Sequence, residues 1–277
     1  MGRGRMAVMA RTWTVGVDAG GTWVRARATD DRGKRRRARV RATASEELGL
    51  TLDRIWRRWR MRGSDVARLV VASRGVWTPA ERRLAARRFR GLAREVLVIS
   101  DAEAAYLGAL GPGPGVLVLS GTGSIVLGRD ARGRWIRRGG LGPLFHDAGS
   151  AFSLGLTWLG HGDEARARRF AKAPDAVARI AALGPRVIRL ARSGNVTARL
   201  VVGAEAAALA WTLARVAGAL RLEGETAASW AGSLMGDDYF RAQVWRWARR
   251  QGLRVTPRAP RESALDAAAR LAAARGR

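Results

Sequence analysis

The sequence predicts an α/β protein built from two related lobes, and three observations carry that prediction. First, residues 15–22 read Val-Gly-Val-Asp-Ala-Gly-Gly-Thr, an apolar strand that ends in a carboxylate and a turn of small residues. Residues 23–28 alternate as a second strand, so the glycines sit at the tip of a hairpin. A Rossmann or Walker loop must feed a helix, and both are disfavoured here. Second, the unit recurs 100 positions on: Val17 meets Leu117, Gly21 meets Gly121, Thr22 meets Thr122, Asp30 meets Asp130, Arg32 meets Arg132 and Gly33 meets Gly133. Third, Gly111-Pro112-Gly113-Pro114-Gly115 can extend neither helix nor strand and separates the two copies. The expected domains are residues 12–110 and 111–259. Small residues let backbone N–H groups approach an anion, and the carboxylate beside them can hold a cation, which is phosphate-plus-metal chemistry.

The elements follow in order. Lys34-Arg35-Arg36-Arg37-Ala38-Arg39-Val40-Arg41 predicts a basic edge strand whose charges resist aggregation. Residues 48–61 predict a helix with Leu52, Ile55, Trp56 and Trp59 on one face, where the tryptophans pack a core. Residues 67–73 predict a strand. Thr78-Pro79-Ala80-Glu81 then joins an N-cap, a proline at the first helical position and the glutamate of a capping box, so a helix starts there. Residues 95–100 predict a strand with Asp101 at its carboxyl end, the edge at which open α/β sheets bind ligands. In the second lobe the hairpin precedes a short strand near 134–137 and a glycine-rich segment at 139–150. Helices are expected at 151–159, 165–182, 195–220, 239–250 and 262–275, with a strand at 226–230 whose exit, Gly232-Ser233, comes close to a ligand.

A length of 277 residues suits two cores. The formal charge is +28, yet all but two of the 51 basic residues are arginine, spread along the whole chain. That reads as a bias in residue usage. With no helix-turn-helix or zinc signature, and no aromatics interleaved with the basic run, no specific nucleic-acid partner is expected. The absence of cysteine excludes disulfides, thiolate nucleophiles and cysteine-ligated clusters. The longest apolar run, 201–220, contains Glu205 and Arg215, and the apolar piece at 6–10 is too brief for a leader, so no membrane partner and a cytoplasmic location are expected.

The pair of hairpins, with a strand ending at Ser100-Asp101 between them, resembles the sugar kinase, Hsp70 and actin ATPase superfamily. Within it, Gly-Gly-Leu-Gly-Pro-Leu-Phe-His-Asp-Ala-Gly-Ser over 139–150, following Ser120-Gly121-Thr122-Gly123-Ser124, resembles the BadF/BadG/BcrA/BcrD-type ATPases and N-acetylglucosamine kinases. The likeness covers residues 12–160 and resumes at Ala231-Gly232-Ser233-Leu234. It implies a two-lobed actin-like ATPase (ribonuclease H-like) fold, each lobe a mixed sheet flanked by helices, with nucleotide in the interlobe cleft. The terminal helix, 260–275, would cross back onto the first lobe. One branch of that family carries an iron–sulfur cluster on cysteines, and this chain cannot belong to it.

The resemblance also implies roles. Gly20, Gly21 and Thr22 would face the β- and γ-phosphates of ATP, with Asp18 near Mg²⁺ through water. Gly121, Thr122, Gly123 and Ser124 would hold the phosphates from the other lobe, and Gly232 and Ser233 would line the adenosine. Asp101 is the choice for general base, on its position at the end of an apolar strand, and it could also cap the following helix. Glu103 reads as a first-turn acid. Asp147 matches the aspartate that binds sugar hydroxyls in the N-acetylglucosamine kinases, with Gly140 beside the sugar, and could instead cap the next helix. The family usually has Gly-Asp-Glu-Gly-Ser there, so His146 and Ala148 are departures, and Ala19 is a milder one. The implied activity is ATP-dependent phosphorylation of an amino sugar, N-acetylglucosamine or glucosamine, at its 6-hydroxyl. The alternative is an ATP-hydrolysing regulatory protein of the same fold. The partners expected are the sugar, the nucleotide and a second copy of the chain.

Overall fold

The computed structural model describes residues 11–21, 23–42, 47–142, 145, 147–162, 164–222 and 224–274; the apolar piece at 6–10, Thr22 and His146 lie outside the described residues. The elements run β1 (Trp13–Ala19), β2 (Trp23–Asp30), β3 (Arg35–Arg41), α1 (Leu48–Trp59), β4 (Val66–Ser73), α2 (Pro79–Arg87), β5 (Glu95–Ser100) and α3 (Asp101–Ala109). They continue with β6 (Gly115–Ser120), β7 (Ser124–Arg129), β8 (Trp135–Gly139), α4 (Ala151–Gly160), α5 (Glu164–Ala171), α6 (Ala176–Ala181) and α7 (Gly184–Arg192). Last come α8 (Val196–Ala219), β9 (Thr226–Ala231), α9 (Asp238–Arg250), β10 (Val255–Pro257) and α10 (Ala264–Ala273). Two compact units result: one holds the described residues up to 108 and from 262 on, the other residues 109–261. The Gly-Pro run at 111–115 lies just inside the second unit.

In the first unit the strand order is β3-β2-β1-β4-β5. β1, β2 and β3 form an antiparallel meander, and β4 and β5 add parallel to β1. Alternation sorts the side chains. Val15, Val17, Leu69 and Val71 pack with Leu52, Ile55 and Trp56 of α1, whereas Val70 and Ala72 pack with Ala268 and Ala272 of α10. Trp56 and Trp59 are buried and stacked at 5.8 Å, and the Trp56 indole N–H donates to the Leu92 carbonyl at 2.9 Å. The helix predicted from Thr78 starts there, with Glu81 N–H on Thr78 Oγ1 (3.2 Å) and Thr78 N–H on the Glu81 carboxylate (2.7 Å). β3 is an edge strand with alternate residues exposed, as its basic sequence predicts. The C-terminal helix α10 seats against β1, β2 and β4, and Asp266 on it accepts from Arg27 of β2.

The second unit has the order β10-β9-β6-β7-β8. Here β6, β7 and β8 are the antiparallel meander and β9 and β10 the parallel additions. Both sheets thus share one topology, and the sequence repeat is a structural repeat. Its turns match in detail. Asp30 Oδ1 accepts from the N–H groups of Arg32 (3.0 Å) and Lys34 (2.7 Å), and Asp130 Oδ1 from those of Arg132 (3.0 Å) and Arg134 (2.9 Å). Gly33 and Gly133 both take the left-handed backbone, at φ +80° and +83°.

The central helix α8 is long and apolar enough to cross a membrane by length and composition alone; half of that stretch is buried within the second unit, against α7, α9 and the sheet. Three elements depart from the sequence reading. The single helix expected at 165–182 is two, α5 and α6, because Pro174 has no N–H to continue the first. α7 was not foreseen, although Pro185 marks its first turn. β10 is three residues long, too short for a periodic signal.

The seat of α10 makes one prediction. A Cβ added at Gly16 would stand 2.2 Å from the Ala269 backbone nitrogen, so neither strand nor helix can yield locally. Gly16→Ala is expected to destabilise the protein by about 1–3 kcal/mol, the usual cost of overpacking. Urea unfolding checks it, and a variant as stable as the parent would contradict this packing.

Candidate active site

In the first unit the register decides what meets at the carboxyl edge. Ala19, Ser73 and Ser100 are aligned neighbours across β1, β4 and β5. The residues that follow them, Gly20, Arg74 and Asp101, therefore leave the sheet side by side, with Asp18 one position inside. Gly20 N–H donates to the Trp23 carbonyl at 3.0 Å and closes the hairpin. Asp18 lies directly opposite Arg25 across the β1–β2 pair, with the guanidinium 3.3 Å from Oδ2. Burial pushes the Asp18 carboxyl above its ordinary value of 3.8; the charge and hydrogen bond of Arg25 pull the other way, and the negative charge of Asp101 adds to the rise.

Asp101 is the first residue of α3, at the positive end of that helix. Its Oδ1 accepts from the Ser100 hydroxyl (3.3 Å) and the Ala102 N–H (2.8 Å), and among the described residues Oδ2 has no hydrogen bond. The alternative reading of Asp101 as the cap is corrected: the Ser100 hydroxyl takes the Ala102 N–H (3.2 Å), and Glu103 reaches back to Ser100 N–H (3.0 Å). Glu103 is buried and also holds Arg82 at 2.7 Å, so it is structural. The residue that sequence reasoning missed is Arg74. A Cβ on Gly21 would lie 2.8 Å from its Nη1, so the guanidinium rests on the tip of the hairpin, exposed and without an acidic partner among the described residues. Only the position after an apolar strand could have signalled it.

In the second unit, the N–H of Gly121 donates to the Gly123 carbonyl at 2.9 Å, and the hairpin tip receives the start of α4. Ala151 N–H donates to the Gly121 carbonyl (2.7 Å) and Phe152 N–H to that of Thr122 (3.3 Å), which satisfies donors a helix N-terminus otherwise leaves open. The Ser120 and Ser124 hydroxyls donate to the carbonyls of Gly149 (2.6 Å) and Ala148 (2.7 Å). Asp147 is buried between those bonds: Oδ1 accepts from Gly140 N–H (3.1 Å), and Oδ2 stands 2.7 Å from where a Gly123 Cβ would be. The structure thus brings Gly123, Gly140 and Asp147 together. Asp147 does not cap α4, because Ser150 Oγ does so by accepting from Ser153 N–H at 3.0 Å. Gly232, at φ +91°, presses on the hairpin from β9; a Cβ there would meet the Ser120 carbonyl at 2.3 Å. Ser233 Oγ is 3.6 Å from the Cβ position of Gly121.

Glu205 was read only as a charge interrupting an apolar run. It is buried on α8 and accepts from Gly149 N–H (2.8 Å), Ser153 Oγ (2.9 Å) and Thr157 Oγ1 (2.8 Å), so it fixes the loop that carries Asp147.

Both hairpins lie within residues 15–269, the span matched by the sequence profile of the BadF/BadG/BcrA/BcrD ATPase family. The chain belongs to that family. An N-acetylmuramic acid/N-acetylglucosamine kinase of Clostridium acetobutylicum is 41% identical over 66 residues, which cover 24% of this chain and 22% of that kinase. Among solved structures, a candidate N-acetylglucosamine kinase from Chromobacterium violaceum superposes with a TM-score of 0.65 at 22% identity, covering 95% of this chain and 99% of the other. One from Porphyromonas gingivalis gives 0.70 at 16%, covering 93% and 97%. Those likenesses establish the two-lobed actin-like, sugar-kinase fold.

Family membership implies ATP, and magnesium is its usual companion. Among the described residues no three His, Asp or Glu side chains converge on one point. Magnesium needs no such cage, since it keeps several waters and takes one or two carboxylates with phosphate oxygens. Asp18 fits: it is a carboxylate burdened by burial and countered by a single exposed arginine, and a cation would relieve that burden.

The raised value has a definite sign. Protonated Asp18 suits the fold, so its contribution to stability is present below 3.8 and is lost as pH rises through the raised value. A carboxyl-carbon NMR titration of Asp18 is expected to move further up in Arg25→Ala and back down in Asp101→Asn. Failure of Asp101→Asn to lower it would break the claim that the two carboxylates share one edge.

Proposed function

We propose that this chain transfers the γ-phosphoryl group of Mg·ATP to the 6-hydroxyl of an amino sugar, N-acetylglucosamine or glucosamine, in the cytoplasm. The observation that carries the reading is Asp101: a carboxylate at the sheet edge, oriented by two donors on Oδ1, with Oδ2 unengaged among the described residues, at the same edge as the glycine hairpin. Family membership and the names of the relatives support the substrate class.

Phosphoryl transfer asks chiefly for positioning and charge neutralisation. Asp101 Oδ2 accepts the proton of the acceptor hydroxyl as its oxygen attacks the γ-phosphorus. Asp18 would hold the metal ion through water, and Gly20, Gly21 and Thr22 would face the phosphates in the first unit. Magnesium supplies charge neutralisation there. Arg74 adds a second cation at the same tip and stabilises the charge on the transferred group. In the second unit Gly121, Thr122, Gly123 and Ser124 cradle phosphate, Gly232 and Ser233 line the adenosine, and Asp147 with Gly140 addresses sugar hydroxyls. A second reading, an ATP-hydrolysing regulatory protein, draws on Ala148, where the family usually has a glutamate. It requires ATP turnover indifferent to any sugar.

Asp101→Asn is expected to leave nucleotide affinity near that of the parent and to lower transfer by about 100-fold or more, the usual range for a general base. Arg74→Ala should lower kcat with only a small change in nucleotide affinity, and millimolar guanidinium should restore part of it. Calorimetry with nucleotide and coupled ADP release measure both. Full turnover in Asp101→Asn would sink the assignment.

A further inference from the structure

A large cavity of the second unit lies away from the β6–β7 hairpin. It is an open-sided basin of about 1090 Å³ at the other end of the sheet, walled by the start of β6 at Gly115, the start of β9 at Thr226, the β7–β8 turn and the end of α8. β6 spans six residues, so at ~3.3 Å per residue the basin is about 20 Å from the hairpin that its far end carries. Five arginines line it, Arg132, Arg134, Arg221, Arg258 and Arg261, against two carboxylates, Asp130 and Glu225.

Both carboxylates are already engaged. Asp130 sits below its ordinary value because the Arg134 N–H, the Arg134 guanidinium and the Arg132 N–H bond it, outweighing the desolvation that opposes them. Glu225 accepts from Thr256 Oγ1 at 3.1 Å. Arg132, Arg221, Arg258 and Arg261 have no acidic partner among the described residues. Thr226 is buried behind its wall. Arg221 holds a left-handed backbone at φ 51°, at the position after α8 where glycine is usual. Its N–H bonds Gly218 O (2.9 Å) and the next N–H bonds Ala217 O (3.1 Å).

We propose that this basin binds a sugar phosphate, smaller than a nucleotide. Guanidinium forks match phosphate oxygens in pairs, and the volume exceeds what a bare phosphate needs. The site is separate from the proposed nucleotide site and does not depend on the kinase reading.

The test is calorimetric titration of the full chain with glucose 6-phosphate and with pyrophosphate, alone and with saturating non-hydrolysable ATP analogue. Arg258→Ala/Arg261→Ala removes two cations from the basin. Arg83→Ala/Arg87→Ala removes two exposed cations from α2 and matches it in charge. The basin variant is expected to lose about tenfold or more in affinity, as charged hydrogen bonds do, while the α2 variant binds as the parent does. Binding should survive the nucleotide analogue. Equal losses in the two double variants would reduce the effect to overall charge and overturn the proposal. So would displacement by the analogue, or the absence of any binding to the parent.

Discussion

The second unit depends on one buried carboxylate. Glu205 stands buried in a helix that is mostly Val, Ala and Leu, where an uncompensated charge is costly, and it is tolerated because three donors meet it. Those donors come from the segment 149–157, so Glu205 ties α8 to the start of α4. Gly149 has no room for anything larger: a Cβ would stand 2.6 Å from that of Leu209, and its φ is +72°. With Gly149 fixed, the hydroxyls of Ser120 and Ser124 reach the carbonyls on either side of it, and Asp147 is held against the hairpin glycines. A chain of polar bonds in a low-dielectric core thus sets the geometry of the loop that carries Asp147.

The two units solve one geometric problem with different chemistry. Each has a meander whose first turn is glycine-rich, followed by parallel strands whose exits lie beside it. In the first unit those exits bring Arg74 and Asp101 to the edge where β1 carries Asp18. In the second they bring backbone: Gly232 packs directly on the Ser120 carbonyl, and α4 docks on the tip. One unit therefore gathers charged side chains at its hairpin, the other backbone and hydroxyl groups that bond one another.

Much of this was legible because a glycine turn between two alternating strands has a strong local signature, and its recurrence at a fixed spacing shows duplication. The Asp30 and Asp130 turns were readable for the same reason, since an aspartate with glycine three residues later closes its own turn. Asp101 was readable from position, as a charge ending the apolar run of β5. What escaped were contacts between distant segments. Arg74 looks like any other arginine in a chain of arginines until β4 places it beside Gly21. Glu205 looked like a blemish in an apolar run, because its partners lie some fifty residues earlier in the chain. α7 and β10 escaped because each is short and takes its form from its neighbours.

The central claim is transfer to an amino sugar, and ADP release from Mg·ATP against a panel of hexoses tests it most directly. N-acetylglucosamine and glucosamine belong in the panel, at two salt concentrations, with the product identified. The account predicts that an amino sugar alone stimulates release, at both salt levels, and that the product carries phosphate on its 6-oxygen. ATP turnover that ignores every sugar would contradict it and would leave the fold serving a regulatory ATPase.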